Sequence, residues 1–256
     1  VFANEPPETS YDINFSLFGI PVRIHPFFFA LPLLWGANWR DPFVLLLFPL
    51  IFLVSILIHE LGHSVAMLAM GQRSRIVLYS MGGLAIPESY GRRSNRTSRE
   101  QILISIAGPA AGLLLALFLI GVARSLGATV SLFWAWNVLP VPQLDFGDSS
   151  IRANFYLALL LELGVLINVW MNLMNLLPVI PLDGGQILRE ILLERDPWNG
   201  MRNALKTSFV IGALVAVVGL SNRETFLALF FGYLAINNFQ TLQMGGPGSF
   251  GGRRPW

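Results

Sequence analysis

Residues 43–70 read FVLLLFPLIFLVSILIHELGHSVAMLAM, an apolar run that carries His59, Glu60 and His63 in its second half. About 20 mostly apolar residues make a helix long enough to cross a bilayer, and this run exceeds that length. A charged group near the bilayer centre costs about 2.5–3.5 kcal/mol even on a mild insertion scale, so Glu60 and its two His neighbours need a compensating role. Positions i and i+4 of a helix share a face. His59 and His63 can therefore bind one zinc ion, and the Glu between them can act on water at the metal, as in the H-E-x-x-H pattern. A packed polar cluster joining two helices is the alternative reading.

Outward from this run, Ile102–Val122, Phe155–Leu177 and Thr225–Met244 meet the same length criterion, and Ala204–Leu220 is slightly short. His25–Trp39 is shorter and holds Pro26 and Pro32, so a re-entrant or interfacial course competes with a span there. These segments predict an all-α polytopic membrane protein of about six transmembrane helices. Composition agrees: 54% of the 256 residues are hydrophobic and 12% charged, against about 25% charged in soluble domains. There is no Cys, which excludes disulfides and thiolate metal ligands, and the only histidines are His25, His59 and His63. A net charge of +2 gives no reason to expect a nucleic-acid partner. Residues 1–15 are polar and acidic, without the basic flank of a signal peptide.

The connections 71–101 and 123–154 are too short for a folded domain of typical size, about 50 residues or more. Within the first, Ile76–Leu78 and Leu84–Ile86 flank Gly82 and Gly83 and predict a small β-hairpin. Thirteen of the 17 basic residues fall in alternate connections and the two termini, among them Arg73, Arg75, Arg92, Arg93, Arg96 and Arg99. The positive-inside bias then predicts that both termini face the cytoplasm.

A catalytic zinc usually has three protein ligands and an open position. The third is sought in Asn175-Leu-Leu-Pro178-Val-Ile-Pro181-Leu-Asp183-Gly184-Gly185. Pro178 and Pro181 stop a regular helix. Irregular backbone at membrane depth is tolerated only where it is buried in protein or lines a cavity. Asp183 follows the break, and its alternative role is to cap the helix Gly184–Glu194.

The two motifs, HELGH and then NLLPVIPLDGG, together resemble the site-2 protease family of intramembrane zinc metalloproteases, over about Leu53–Glu190. The resemblance implies one Zn²⁺ per chain held by His59, His63 and Asp183, with Glu60 as catalytic base and a β-hairpin near the active site. The expected layout of the chain is a cytoplasmic segment 1–19, a metalloprotease domain over 20–244 and a flexible Gly-rich tail 245–256. Asn175 matches the motif Asn and would face the active site, donating to the substrate carbonyl or developing oxyanion; a helix–helix hydrogen bond is its alternative. Residues 107–112 (AGPAAG) resemble the family's third-span segment. Many members have Asn where Gly112 stands, so the small residues there are read as close helix packing.

The implied substrates are transmembrane proteins, membrane-bound regulatory proteins among them, cut from a cytoplasmic opening in a cell membrane. Such a helix must unwind before cleavage, and the free edge of the hairpin at 76–86 would receive it. A membrane zinc enzyme acting on lipidated tails, and a metal transporter or inactive homologue, remain as alternatives; the intact Glu60 argues against the last. Asn168 and Asn172 share a stripe with Asn175 and are read as packing residues. His25 is placed at the cytoplasmic start of the first segment, with a role near the site as the lesser alternative. Glu162 is expected to be buried in the fourth span, and the Asn95–Thr97 sequon is read as chance.

Overall fold

The computed structural model describes residues 7–36, 41–79, 82–88, 96–135, 139–147 and 154–244. The chain divides into two compact units, residues 1–88 with 107–172 and residues 89–106 with 173–256, and two of the three divisions fall inside long helices. The Gly-rich tail 245–256 and Arg92 and Arg93 lie outside the described residues.

The first unit opens with a hairpin of β1 (Ile13–Leu17) and β2 (Ile20–Ile24). Phe18 and Gly19 join them with φ of 51° and 79°, the two positive values that a tight type I′ turn requires. The hairpin crosses the expected boundary between residues 19 and 20. β2 pairs in parallel with β3 (Ser74–Tyr79), which pairs antiparallel with β4 (Gly82–Pro87), giving the order β1-β2-β3-β4. The expected hairpin at 76–86 is therefore one half of a four-stranded sheet, with Ile76 opposite Ala85 and Leu78 opposite Gly83. Ile76, Val77 and Leu78 are fully buried, as suits a central strand covered on both faces.

A parallel pair needs a long crossover. Here it consists of a 3-10 turn (Pro26–Phe29), α1 (Ala30–Gly36) and α2 (Pro42–Ala69). Among the described residues of the expected span His25–Trp39 the longest helix is α1, with 7 residues, and at 1.5 Å per residue that reaches only about 10 Å. His25 caps the turn: its Nδ1 accepts from the Phe27 N–H at 3.3 Å, and its backbone N–H donates to the Leu78 carbonyl at 2.8 Å.

α2 starts where the Asp41 carboxylate accepts from the Phe43 N–H at 2.8 Å, with Pro42 in the first turn. It ends in a Schellman motif: the Gln72 N–H bonds the Met67 carbonyl at 2.9 Å, the Gly71 N–H bonds that of Leu68 at 2.9 Å, and Gly71 has φ 76°. This left-handed glycine turns the chain directly into β3. Ile20, Val22 and Ile24 of β2 pack with Phe28, Ile56, Ile76 and Leu78 in one cluster, which fixes the face of α2 turned to the sheet.

Among the described residues four helices are long and apolar enough to cross a membrane: α2, α3 (Ser98–Ser125), α4 (Phe155–Asn175) and α6 (Gly200–Ser221). α7 (Thr225–Met244) is helical over the expected segment but falls outside the four. The amides Asn237, Asn238, Gln240 and Gln243 lower its mean hydropathy. Six spans are thus not shown; the chain is a mostly helical integral membrane protein with small sheets. Between α3 and α4 a second hairpin forms, β5 (Thr129–Ala135) with β6 (Leu139–Asp145). Pro140 and Pro142 disguise it in the sequence, yet proline is tolerated where each strand is an edge. Glu162 lies on a face of α4 that the other described residues do not cover.

In the second unit α5 (Asp183–Arg195) and α6 are joined through Asp196. Its carboxylate accepts from the Asn199 side chain and from the Trp198 and Asn199 N–H groups, each at 3.0 Å. The Asn199 side-chain bond, helped by these backbone donors, holds the Asp196 carboxyl below the usual carboxylate range.

Candidate metal centre

His59, Glu60 and His63 are all buried, at 4%, 5% and 8% exposure. His59 precedes the end of α2 at Ala69 by ten residues, about 15 Å along the axis. The His59 and His63 Nε2 atoms face each other at 3.1 Å, with the rings nearly perpendicular at 80°. A tetrahedral zinc with bonds of about 2.0–2.1 Å holds two ligand nitrogens roughly 3.3 Å apart, so the pair has the spacing of one edge of such a site.

The room for these side chains comes from glycines on neighbouring elements. A Cβ at Gly108 of α3 would fall on the His63 ring, and one at Gly83 of β4 would meet Cγ and Oε1 of Glu60 at 2.5 Å. A Cβ at Gly112 would fall on the Asn172 amide. The small-residue segment 107–112 does allow close helix packing, as expected, and it does so directly against the motif.

Asn172, read from sequence as a packing residue, contacts the motif itself. Its Oδ1 lies 2.7 Å from His59 Nδ1, and its Nδ2 donates to the Asn168 carbonyl at 2.6 Å. The Asn168 amide in turn donates to Ser55 Oγ and to the Gly164 carbonyl, both at 2.8 Å. The available signal was the i, i+4 pair of amides in an apolar span, since a buried amide requires partners.

The second unit carries the other motif. Asn175 ends α4 and is half-buried. After Pro178, the Ile180 N–H donates to Ser208 Oγ at 3.0 Å and its carbonyl accepts from Asn238 Nδ2 at 2.7 Å. Ser208 and Asn238 are fully buried; neither was foreseen from sequence. α5 begins at Asp183, while the cap position is Leu182, which makes no side-chain cap. Asp183 thus stands one residue past the place where a capping Asp would sit, and it is half-buried. Cβ atoms at Gly184 and Gly185 would strike the backbone of Leu176–Leu177 and Val179–Ile180, so both glycines let the broken segment fold onto the helix start.

The sequence model of peptidase family M50 matches residues 47–135 and 148–219, taking in both motifs. The chain belongs to peptidase family M50. Its site-2 protease resemblance therefore holds as family membership. This M50 chain is 34% identical over 191 residues to a putative zinc metalloprotease of Synechocystis, covering 69% of this chain and 43% of that protein. It is 30% identical over 233 residues to a zinc metalloprotease of Methanocaldococcus jannaschii, covering 89% and 56%. With stage IV sporulation protein FB of Bacillus subtilis the identity is 28% over 225 residues, covering 86% and 66%. The chain thus spans about half the length of the first two relatives. The solved site-2 protease of M. jannaschii matches with a TM-score of 0.54 at 23% identity, over 90% of this chain and 94% of that one, and shares its fold.

The histidine pair fits the zinc that the names of two of these relatives carry. Both Nε2 atoms converge at a tetrahedral spacing, and the Asn172 oxygen engages His59 Nδ1, leaving Nε2 as the ligand nitrogen.

Proposed function

We propose that this chain is an intramembrane zinc metalloendopeptidase that hydrolyses peptide bonds in the transmembrane helices of other membrane proteins. The observation that carries this reading is the converging His59–His63 pair with Glu60 between them, buried in a helix long enough to span a bilayer. Asp183 is assigned as the third ligand. Histidine nitrogens and a carboxylate oxygen are the ligand types left to a catalytic zinc in a chain without cysteine, which supports the assignment. Bound there, zinc would supply Lewis acidity to the scissile carbonyl and to the attacking water. Glu60 takes the water proton on its carboxylate and delivers it to the leaving amine. Asn175 is assigned to donate a hydrogen bond to the substrate carbonyl as charge develops there.

Gly83 sets the position of the base. In the Gly83→Ala variant the new methyl displaces the Glu60 carboxylate, and a misplacement of about 1 Å can cost roughly 10²-fold in rate. The expected result is a loss of that order in cleavage with zinc content unchanged. Wild-type cleavage by this variant would remove the contact from the mechanism.

A peptide bond inside a helix has its carbonyl bonded to the amide four residues on, so the substrate must unwind first. The opened segment needs new backbone partners. β4 is the last strand of its sheet, and strand addition there would supply them. Val77 is itself fully buried and belongs instead to β3, which is paired on both sides, so only Ala85 of β4 offers a test of the edge. Both termini and the opening are assigned to the cytoplasmic side on the distribution of basic residues.

The test is mass-spectrometric mapping of cleavage sites in cell membranes expressing the wild type or Glu60→Gln. Wild-type-specific cuts within transmembrane helices, near their cytoplasmic ends and slowed by Ala85→Pro with zinc retained, are expected. Cuts at the opposite ends would reverse the orientation, and normal cleavage by Ala85→Pro would remove the strand role. Release of lipidated tails alone, or zinc flux without cleavage, would overturn the activity.

A further inference from the structure

We infer that Asn172 is a positioning residue that fixes the tautomer of His59 and thereby presents its Nε2 lone pair to the metal. The inference rests on the metal centre proposed above and adds a residue that neither motif contains. It follows from the order of hydrogen bonds along one buried chain. The Asn168 backbone carbonyl only accepts, so the Asn172 atom 2.6 Å from it must be the amide nitrogen. Reversing the amide would set two oxygens against each other at that distance. The Asn172 oxygen is therefore the atom facing His59 Nδ1 at 2.7 Å, and an amide oxygen only accepts. His59 must donate from Nδ1. A neutral imidazole carries one N–H, so Nε2 holds the lone pair, and Nε2 is the atom turned toward His63 at 3.1 Å.

The surroundings keep this arrangement in place. Asn172 is 0% exposed and Asn168 1% exposed, so water does not compete for the amide. Gly112 leaves the space that the amide occupies. Asn168 is itself held by Ser55 of α2, the helix that carries His59. The amide plane is fixed from α4 and from α2 together, which orients the imidazole before any metal arrives.

Three measurements on the purified full chain test this. In metal-free wild-type protein with ¹⁵N-labelled histidine, which has three imidazoles to assign, His59 is expected as the Nδ1–H tautomer; finding Nε2–H would overturn the inference whatever the variants do. Zinc affinity is then measured by competition with a chromophoric chelator for Asn172→Leu and Asn172→Asp. Both variants lose the donor to Asn168, and only Asp keeps an acceptor for His59 Nδ1. Asn172→Leu is expected to bind zinc about 10–100-fold more weakly, the usual effect of losing an outer-shell partner, while Asn172→Asp stays close to the wild type. Equal losses in both would assign the effect to the Asn168 link, and wild-type affinity in Asn172→Leu would remove the role; either overturns the inference. His59→Ala is the third measurement. If it kept full zinc, the metal centre itself would fall and the inference with it. If it lost zinc while Asn172→Leu bound normally, the inference alone would fail.

Discussion

Glu60→Gln is expected to keep one zinc per chain and to lose peptide hydrolysis by about 10²–10⁴-fold, the range that a positioned general base supplies. Gln matches Glu in shape, and the Glu60 side chain fits against the backbone of β4 at Gly83, where there is room for this group and no more. The variant therefore disturbs neither the helix nor the converging nitrogens of His59 and His63. What it removes is the carboxylate that accepts the water proton, since an amide oxygen is far too weak a base. Metal content by elemental analysis and cleavage of a mapped substrate are measured on the same preparation. Retained cleavage would mean that another group takes the proton, and loss of zinc would place Glu60 in the ligand set.

Gly108→Val is expected to empty the metal centre and destabilise the fold together. A Cβ at Gly108 falls on the His63 ring, and a valine adds two methyl groups beyond it. The ring must leave the position in which its Nε2 faces that of His59. α3 is also held against α2 nearby, where a Cβ at Gly62 would strike the backbone of Ala107, so the helices have no slack to part locally. Overpacking of this kind costs about 1–3 kcal/mol. Substoichiometric zinc and a lowered melting temperature in detergent are expected. Gly121→Ala on the same helix is the control, because its Cβ would meet nothing within 4 Å. It should hold zinc fully and gain about 0.5–1 kcal/mol from the helix preference of Ala over Gly. If Gly108→Val matched that control, the approach of α3 to His63 would not matter for the metal.

Local features of the chain made much of this legible in advance. The pairing of His59 with His63 follows from helical spacing inside one apolar run, and α2 realises it. The hairpin at 74–87 was readable because Gly82 and Gly83 sit between β-branched segments. At His25–Trp39 the two prolines set a re-entrant or interfacial course against a span, and the structure has a 3-10 turn from Pro26 followed by the seven residues of α1. α7 shows the converse, a helix read correctly whose amides take it out of the set apolar enough to cross.

By itself the sequence determined which segments are apolar enough to lie in a membrane, which polar groups they carry, and which of those share a helix face. These are properties of near neighbours, set by backbone period and side-chain chemistry. Only the tertiary structure decided which face meets which neighbour. It is why Asn172 bonds His59, why Gly83 and Gly108 border Glu60 and His63, and why Ser208 and Asn238 hold the two sides of the Ile180 peptide. The parallel pairing of β2 with β3 across the whole of α1 and α2 belongs to the same class. Periodicity places a residue on a side of its own element. The partner across the gap depends on contacts between segments far apart in the chain, and the close packing of the folded interior selects among them.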